Sequence, residues 1–233
     1  PGGAAHVATA AKALSPGVVG LLGDIGEDEA GVKLGSMLAQ HGVWTDLYRR
    51  PGDVTPVKIR VTSGGRQLMR VDHEFGRYRP NQPTRNVVAR FNRVAAEVSV
   101  LVLSDYNKGT LPEYAVKDMI KSCAVAGVAV LADPKQKLEN FDGAFAVTPN
   151  WREAYEALSR TELLSDIPLP YDDDGNDEVA EEMARVLTNV IPRVRHVIVT
   201  RGAHGVTWLD RHNERVTHLP AFSRCVYDVT GAG

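Results

Sequence analysis

An α/β fold with a largely parallel sheet is predicted by two features of the chain. Short β-branched runs alternate with longer stretches whose apolar residues recur at helical spacing. The composition, 43% hydrophobic and 24% charged over 233 residues, is that of one soluble globular domain with room for a small accessory element. Taken in order, the chain opens on the small-residue run Pro1-Gly2-Gly3, which leads into an alanine-rich helix. Residues 18–23 read as a buried strand. Residues 28–41 follow as a helix with Val32, Leu34, Met37 and Leu38 on its apolar face and Gly42 as its stop. The unit recurs as strand 98–103 with helix 112–126 and then strand 128–132. A third version runs from helix 177–190 into strand 196–200.

Two segments depart from this rhythm. Residues 55–62 and 67–72 alternate apolar and polar side chains across Ser63-Gly64-Gly65-Arg66, so they predict a β-hairpin with one wet face, placed as a lid or dimerisation flap over about residues 55–72. Residues 205–209 and 215–219 form a second hairpin around 210–214. Pro168, Pro170 and the acidic run 172–174 make 159–176 a surface loop.

Charge narrows the partners. Twenty-seven Lys and Arg stand against 29 Asp and Glu, a net charge of −2, so no broad attraction to nucleic acid or an anionic membrane is expected. Any anionic ligand has to be held locally. Cys123 and Cys225 are the two cysteines, with no His or Cys at ligand spacing, which argues against a disulfide framework or a structural zinc site and for a reducing, cytosolic setting. The longest apolar runs fall far short of the roughly 20 residues that span a bilayer.

Six strand or helix ends carry candidate chemistry. Gly2 and Gly3 let a ligand or a second backbone approach the first helix N-terminus. After strand 98–103 comes Ser104-Asp105-Tyr106-Asn107-Lys108-Gly109, where open α/β sheets place ligands, and Asp133-Pro134-Lys135 repeats the arrangement after the next strand. The outcome is a charged crevice in which Lys108 can meet a phosphate. Asn150 and Glu153 lie three apart at a helix start. They read equally as a pair that orients water around magnesium and as a helix cap. Thr200-Arg201-Gly202 and Gly205 suit backbone contact with a nucleotide. In the terminal 228–233 segment, Gly231 and Gly233 flank Ala232 and aim successive N–H groups at one point, an anion hole for a phosphoryl group.

Taken together and in order, PGGAAHVA, TPVKIRVTSGGRQLMRVD, LVLSDYNKG, LADPK, VTPNWREA, VTRG and VYDVTGAG resemble the ribokinase (PfkB) family of carbohydrate kinases. Within it the likeness is to the heptose-7-phosphate kinase branch of bacterial ADP-heptose synthesis. The resemblance implies a ribokinase-like three-layer α/β/α fold with a hairpin lid, use of ATP and Mg²⁺, and phosphorylation of D-glycero-D-manno-heptose 7-phosphate at its anomeric hydroxyl. It implies Gly2, Gly3, Arg70 and Asp72 on the sugar side, with Lys58 and Arg60 beside them, and Asp105 and Lys108 near the phosphates. Asn150 and Glu153 match an NxxE element that organises magnesium through water. Thr200, Arg201, Gly202 and Gly205 match a nucleotide-binding turn, and Gly231, Ala232 and Gly233 an anion hole. Pairing of two subunits through the lid follows from the same likeness.

His6 departs from the family pattern, which has Asn there, and so alters a sugar contact. The family's catalytic Asp directly follows the Gly-Ala-Gly, its first strand precedes the equivalent of Pro1, and helices completing the adenine pocket follow. The 233 residues therefore read as the incomplete middle of a kinase, inactive alone. Two other readings stay open: a PfkB kinase for another sugar or a nucleoside, and a non-catalytic binding remnant. No GxxxxGK[ST] loop or strand-borne GxGxxG supports another nucleotide fold.

Overall fold

A computed structural model describes residues 1–64, 66–74, 87–135, 137–161 and 175–222. The chain divides into two compact units, Pro1–Phe91 with Lys108–Thr110, and Asn92–Asn107 with Leu111–Gly233.

In the first unit, α1 (Ala4–Leu14) packs on β1 (Gly20–Gly26), followed by α2 (Glu29–Gln40), β2 (Trp44–Arg50), the hairpin β3 (Val57–Ser63) and β4 (Arg66–His73), and α3 (Val87–Asn92). Ala5 and Ala8 of α1 meet Leu38 and Val43 in a small core, and their short side chains let the helix sit close to the strands. Asp28 starts α2 and also holds the base of the hairpin. Its carboxylate accepts from the Gly31 N–H at 2.8 Å, from the Thr55 N–H at 2.7 Å and from the Thr55 hydroxyl at 2.7 Å. Burial alone would raise the Asp28 pKa, but the Thr55 and Gly31 donors outweigh it and hold the carboxyl below its ordinary value. Only a glycine fits at position 26, where a Cβ would lie 2.5 Å from the Asp53 carbonyl.

Strand β2 and helix α3 are absent from the sequence-based reading. β2 pairs in parallel with β1 along its whole length, Gly20 opposite Trp44 through Gly26 opposite Arg50. Its sequence, Trp44-Thr-Asp-Leu-Tyr-Arg-Arg, lacks an apolar run because its polar groups enter a charged node. Asp24 of β1 is held by both Arg50 and Arg90, the latter at 2.9 Å. The Arg90 guanidinium also donates to the Gly23 and Asp46 carbonyls at 3.2 and 3.1 Å. Strand β1 begins two residues later and ends three later than the sequence suggests, because it runs as far as its partner does.

The second unit is a six-stranded sheet in the order β10-β9-β8-β7-β6-β5. Strands β5 (Val100–Ser104), β6 (Ala129–Asp133), β7 (Ala146–Val147) and β8 (His196–Thr200) run parallel. β9 (Val206–Asp210) and β10 (Arg215–Leu219) then turn back as the expected second hairpin. Helix α4 (Glu113–Ala126) lies on β6 and ends at Gly127, whose φ of 70° terminates it in the left-handed region. α5 (Trp151–Ser159) packs on α6 (Asp177–Val190), and α6 covers β8 and β9. Cys123 is buried on α4 as a small hydrophobe, and burial raises its thiol pKa. Most of the 159–176 loop, including the acidic run 172–174, lies outside the described residues.

Two aromatic and histidine positions carry more than packing. His218 sits on β10 with its Nδ1 3.1 Å from the Thr207 hydroxyl. His196 is 8% exposed at the start of β8, edge-on to Phe145, and its Nδ1 accepts the Trp208 indole N–H at 3.2 Å. Burial lowers the His196 pKa below 6.5; Arg195 adds to this and Asp210 opposes it. The folded state thus binds fewer protons than the unfolded chain at this site. Its contribution is complete above the unfolded value and is lost as pH falls below about 6.5. Urea unfolding between pH 7.5 and 5.5 should show stability falling with acidification, and His196→Phe should flatten that slope. An unchanged slope in the variant would refute this account.

Candidate active site

Because β5 to β8 are parallel, their carboxyl ends lie along one edge of the sheet, and four sequence motifs meet there. The N–H of Asp105, just past β5, donates to the Asp133 carbonyl at 3.1 Å. The Thr148 N–H, past β7, donates to the Ala132 carbonyl at 2.9 Å. The Thr200 N–H donates to the Pro149 carbonyl at 3.0 Å, and Asn150 bridges Thr200 in parallel register. Asp105, Asp133, Asn150 and Thr200 are thereby set on adjacent strand ends. Asp105 is 2% exposed, and its carboxylate accepts from the Asn107 N–H at 2.8 Å, shaping the turn.

Asn150 and Glu153 form a reciprocal cap on α5. The Asn150 side chain accepts from the Glu153 N–H, and the Glu153 carboxylate accepts from the Asn150 N–H, each at 2.9 Å. The cap and the chemical reading do not compete, because the capping carboxylate has a second oxygen. That oxygen lies 2.7 Å from the Lys135 ammonium, which is also 3.4 Å from Asp133. Burial would lower the Lys135 pKa, but the Glu153 hydrogen bond and the two carboxylate charges raise it above its ordinary value. The Tyr106 hydroxyl is pushed upward, first by burial and then by the Asp133 charge.

Beside this cluster opens a cleft of about 500 Å³ lined by Lys135, Lys137 and Arg160 together with Glu113, Glu153 and Glu156. Lys137, Arg160 and Tyr106 are not singled out by sequence, and Lys135 is seen there only as part of a repeated Asp-Pro-Lys turn. The signal that could have raised Arg160, at the end of α5, is its spacing of seven residues from Glu153 and four from Glu156, which places all three on one helix face.

The other expected residues are placed as follows. Arg201 is 2% exposed and pairs with Asp177 at 2.6 Å, tying the end of β8 to the start of α6. Arg201 is also the main reason that the Asp177 pKa is lowered. Gly205 has φ 83°, and a Cβ there would lie 1.9 Å from the Leu219 carbonyl oxygen, so backbone packing demands glycine. Gly202, at φ 55°, has nothing within 4 Å of an added Cβ and presents open backbone. Gly231, Ala232 and Gly233 lie outside the described residues.

Within the first unit, Gly2 and Gly3 precede α1, with Gly3 at φ 55°, and His6 is exposed on the first turn. On the hairpin, Lys58 faces Asp72 and Arg60 faces Arg70 in register. Asp72 pairs with Arg70 at 2.9 Å and Lys58 at 3.5 Å. Ile59, Val61, Met69 and Val71 alternate with these charges and are all exposed. Lys108 belongs to this unit, where it pairs with Glu74.

The parallel strands thus carry a lysine, two carboxylates and a capped helix at their carboxyl edge. The family description "pfkB family carbohydrate kinase" matches residues 1–233, and the chain belongs to that family. Among curated relatives, bifunctional protein HldE of Methylococcus capsulatus is 39% identical over 233 residues, and that of Caulobacter vibrioides is 35% identical over 234. In each case the match covers 100% of this chain and 45% of the relative, so the chain spans less than half their length. Among solved structures, adenosine kinase of Trypanosoma brucei brucei aligns at TM-score 0.76 with 16% identity, covering 99% of this chain and 70% of that one. Ribokinase of Giardia lamblia aligns at 0.67 with 16% identity, covering 91% and 62%. The fold is ribokinase-like, as the motifs imply. Among the described residues no helix is long and apolar enough to cross a membrane, and no cluster of three or more His, Cys, Asp or Glu is poised for a metal.

Proposed function

We propose that the polypeptide carrying this chain transfers the γ-phosphoryl group of ATP to the anomeric hydroxyl of D-glycero-D-manno-heptose 7-phosphate, giving the 1,7-bisphosphate for ADP-heptose and lipopolysaccharide core synthesis. The observation that carries the kinase reading is the Asp133–Lys135–Glu153–Asn150 cluster at the strand ends, beside a cleft lined by charged side chains of both signs. The sugar is chosen by the motif resemblance. In the transfer, the bond from the γ-phosphorus to the β,γ-bridging oxygen breaks and a bond to the sugar oxygen forms. The hydroxyl proton goes to a general base, which the resemblance places as an aspartate immediately after Gly233.

Positioning and charge neutralisation dominate such reactions. Lys135, Lys137 and Arg160 are suited to the triphosphate, and the open backbone at Gly202 to the nucleotide. Asp133 and Glu153 are hard oxygen donors that suit Mg²⁺ held through water, since both already face Lys135 and Glu153 also caps α5. When bound, the ion offsets phosphate charge. By the resemblance, Gly2, Gly3, His6 and the charged hairpin residues Lys58, Arg60, Arg70 and Asp72 are assigned to the sugar phosphate, and Asp105 and Lys108 to the phosphates.

Product formation should be followed for the gene product that carries this chain, with heptose 7-phosphate, fructose 6-phosphate, ribose and adenosine each offered with Mg²⁺ and ATP. Preferred turnover of the heptose supports the assignment, and preference for another acceptor overturns it. The hairpin is assigned a second role, pairing two subunits through Ile59, Val61, Met69 and Val71. Sedimentation should report a dimer for the unaltered protein and a monomer for Val71→Lys. A monomer in both would remove that role.

A further inference from the structure

Lys135 has more carboxylate around it than a structural ion pair needs. Its ammonium is 2.7 Å from Glu153 and 3.4 Å from Asp133, so one positive charge is set against two negative ones. The bonding is uneven, since the Glu153 contact is a good charge-assisted hydrogen bond and the Asp133 contact is loose. About a third of the side chain is exposed, at 31%, and it lines the cleft. Glu153 would remain anchored without it, because its other oxygen accepts the Asn150 N–H at 2.9 Å. Asp133 is likewise placed by the β5–β6 register, opposite Ser104. The lysine is therefore the movable member of the cluster, on a four-carbon stem that can swing without disturbing strand or helix.

The charge balance gives that movement a purpose. Three basic side chains, Lys135, Lys137 and Arg160, line the cleft together with three acidic ones, Glu113, Glu153 and Glu156. A triphosphate entering this cleft meets no net positive charge unless a cation takes over the carboxylates. We infer that Lys135 is a catalytic cation that exchanges partners. In the ligand-free protein it is held by Asp133 and Glu153, and in the nucleotide complex, once those carboxylates turn to a hydrated divalent cation, its ammonium meets the terminal phosphate of ATP. It forms no covalent bond and gives up no proton, so its effect is electrostatic, directed at the charge that moves during transfer. The inference rests on the nucleotide site proposed above.

Two measurements on the gene product that carries this chain test it. Lys135→Met leaves Asp133 and Glu153 as neighbouring unpaired acids, so its melting temperature should fall and millimolar Mg²⁺ should recover part of the loss, with a much smaller response in the unaltered protein. Calorimetric titration with ATP and with ADP should show Lys135→Met weakening ATP binding about 10-fold, the order of an interaction worth about 1.4 kcal/mol, with ADP binding nearly unchanged. Lys135→Arg should keep most of the preference for ATP. Equal weakening of both nucleotides, or of neither, would overturn the exchange and leave Lys135 a positioning residue for Glu153. If the unaltered gene product binds neither nucleotide, the site reading itself fails and the exchange falls with it.

Discussion

Glu153→Gln is expected to lower phosphoryl transfer by about 10- to 100-fold while leaving the fold intact, the size typical of losing a group that positions a metal through its outer shell. The isosteric amide keeps an oxygen to accept the Asn150 N–H, so α5 keeps its cap. Its NH₂ must then face the Lys135 ammonium that the carboxylate held at 2.7 Å, and the negative charge suited to hydrated Mg²⁺ is gone. The loss should shrink as Mg²⁺ is raised, which titration of activity against Mg²⁺ would show. The melting temperature should move little. A large fall in melting temperature with activity lost in proportion would assign Glu153 to the cap alone.

Asp24→Ala should destabilise the first unit by about 3–5 kcal/mol, the usual cost of removing one partner from a buried ion pair. The Asp24 side chain is 5% exposed and that of Arg90 9%, so the substitution strands one guanidinium in the interior and deprives Arg50 of its close partner. The two backbone carbonyls that Arg90 also reaches soften the loss, since they still accept its hydrogen bonds. Chemical denaturation with hydrogen exchange would localise the effect. Early exchange should be confined to β1, β2 and α3, and the sheet from β5 to β10 should stay protected. A loss below about 1 kcal/mol would mean that the node behaves like an exposed pair.

Much of this architecture was open to sequence reasoning because it depends on periodicity. Helix α6 spans 177–190 and β8 spans 196–200, the bounds that helical spacing and β-branching suggest. The hairpin could be read from alternation around Gly64, which takes φ 56° in its turn. Strand β2 and helix α3 were hidden for different reasons. In β2, Asp46 and Arg50 turn toward Arg90 and Asp24, and a half-buried charge looks like a surface charge until its partner is known; α3 buries Val87 and Phe91 beside Arg90, but its six residues are too few to show a helical period.

The candidate site divides along the same line. Sequence by itself determined which residues stand at or just past strand ends, Asp105, Asp133, Asn150 and Thr200, and that Glu153 lies in the first turn of the helix that follows Asn150, because strand and helix ends are local features. Only the tertiary structure decided what those residues do to one another. It joined Lys135 to Glu153 across 18 positions of chain, used one Glu153 oxygen as a cap and set the other against the Lys135 ammonium, and drew Arg201 inward to Asp177. The physical reason is that hydrogen bonds and ion pairs depend on distances of about 3 Å, and such distances between remote residues come from parallel strand register and helix packing, which no local pattern encodes.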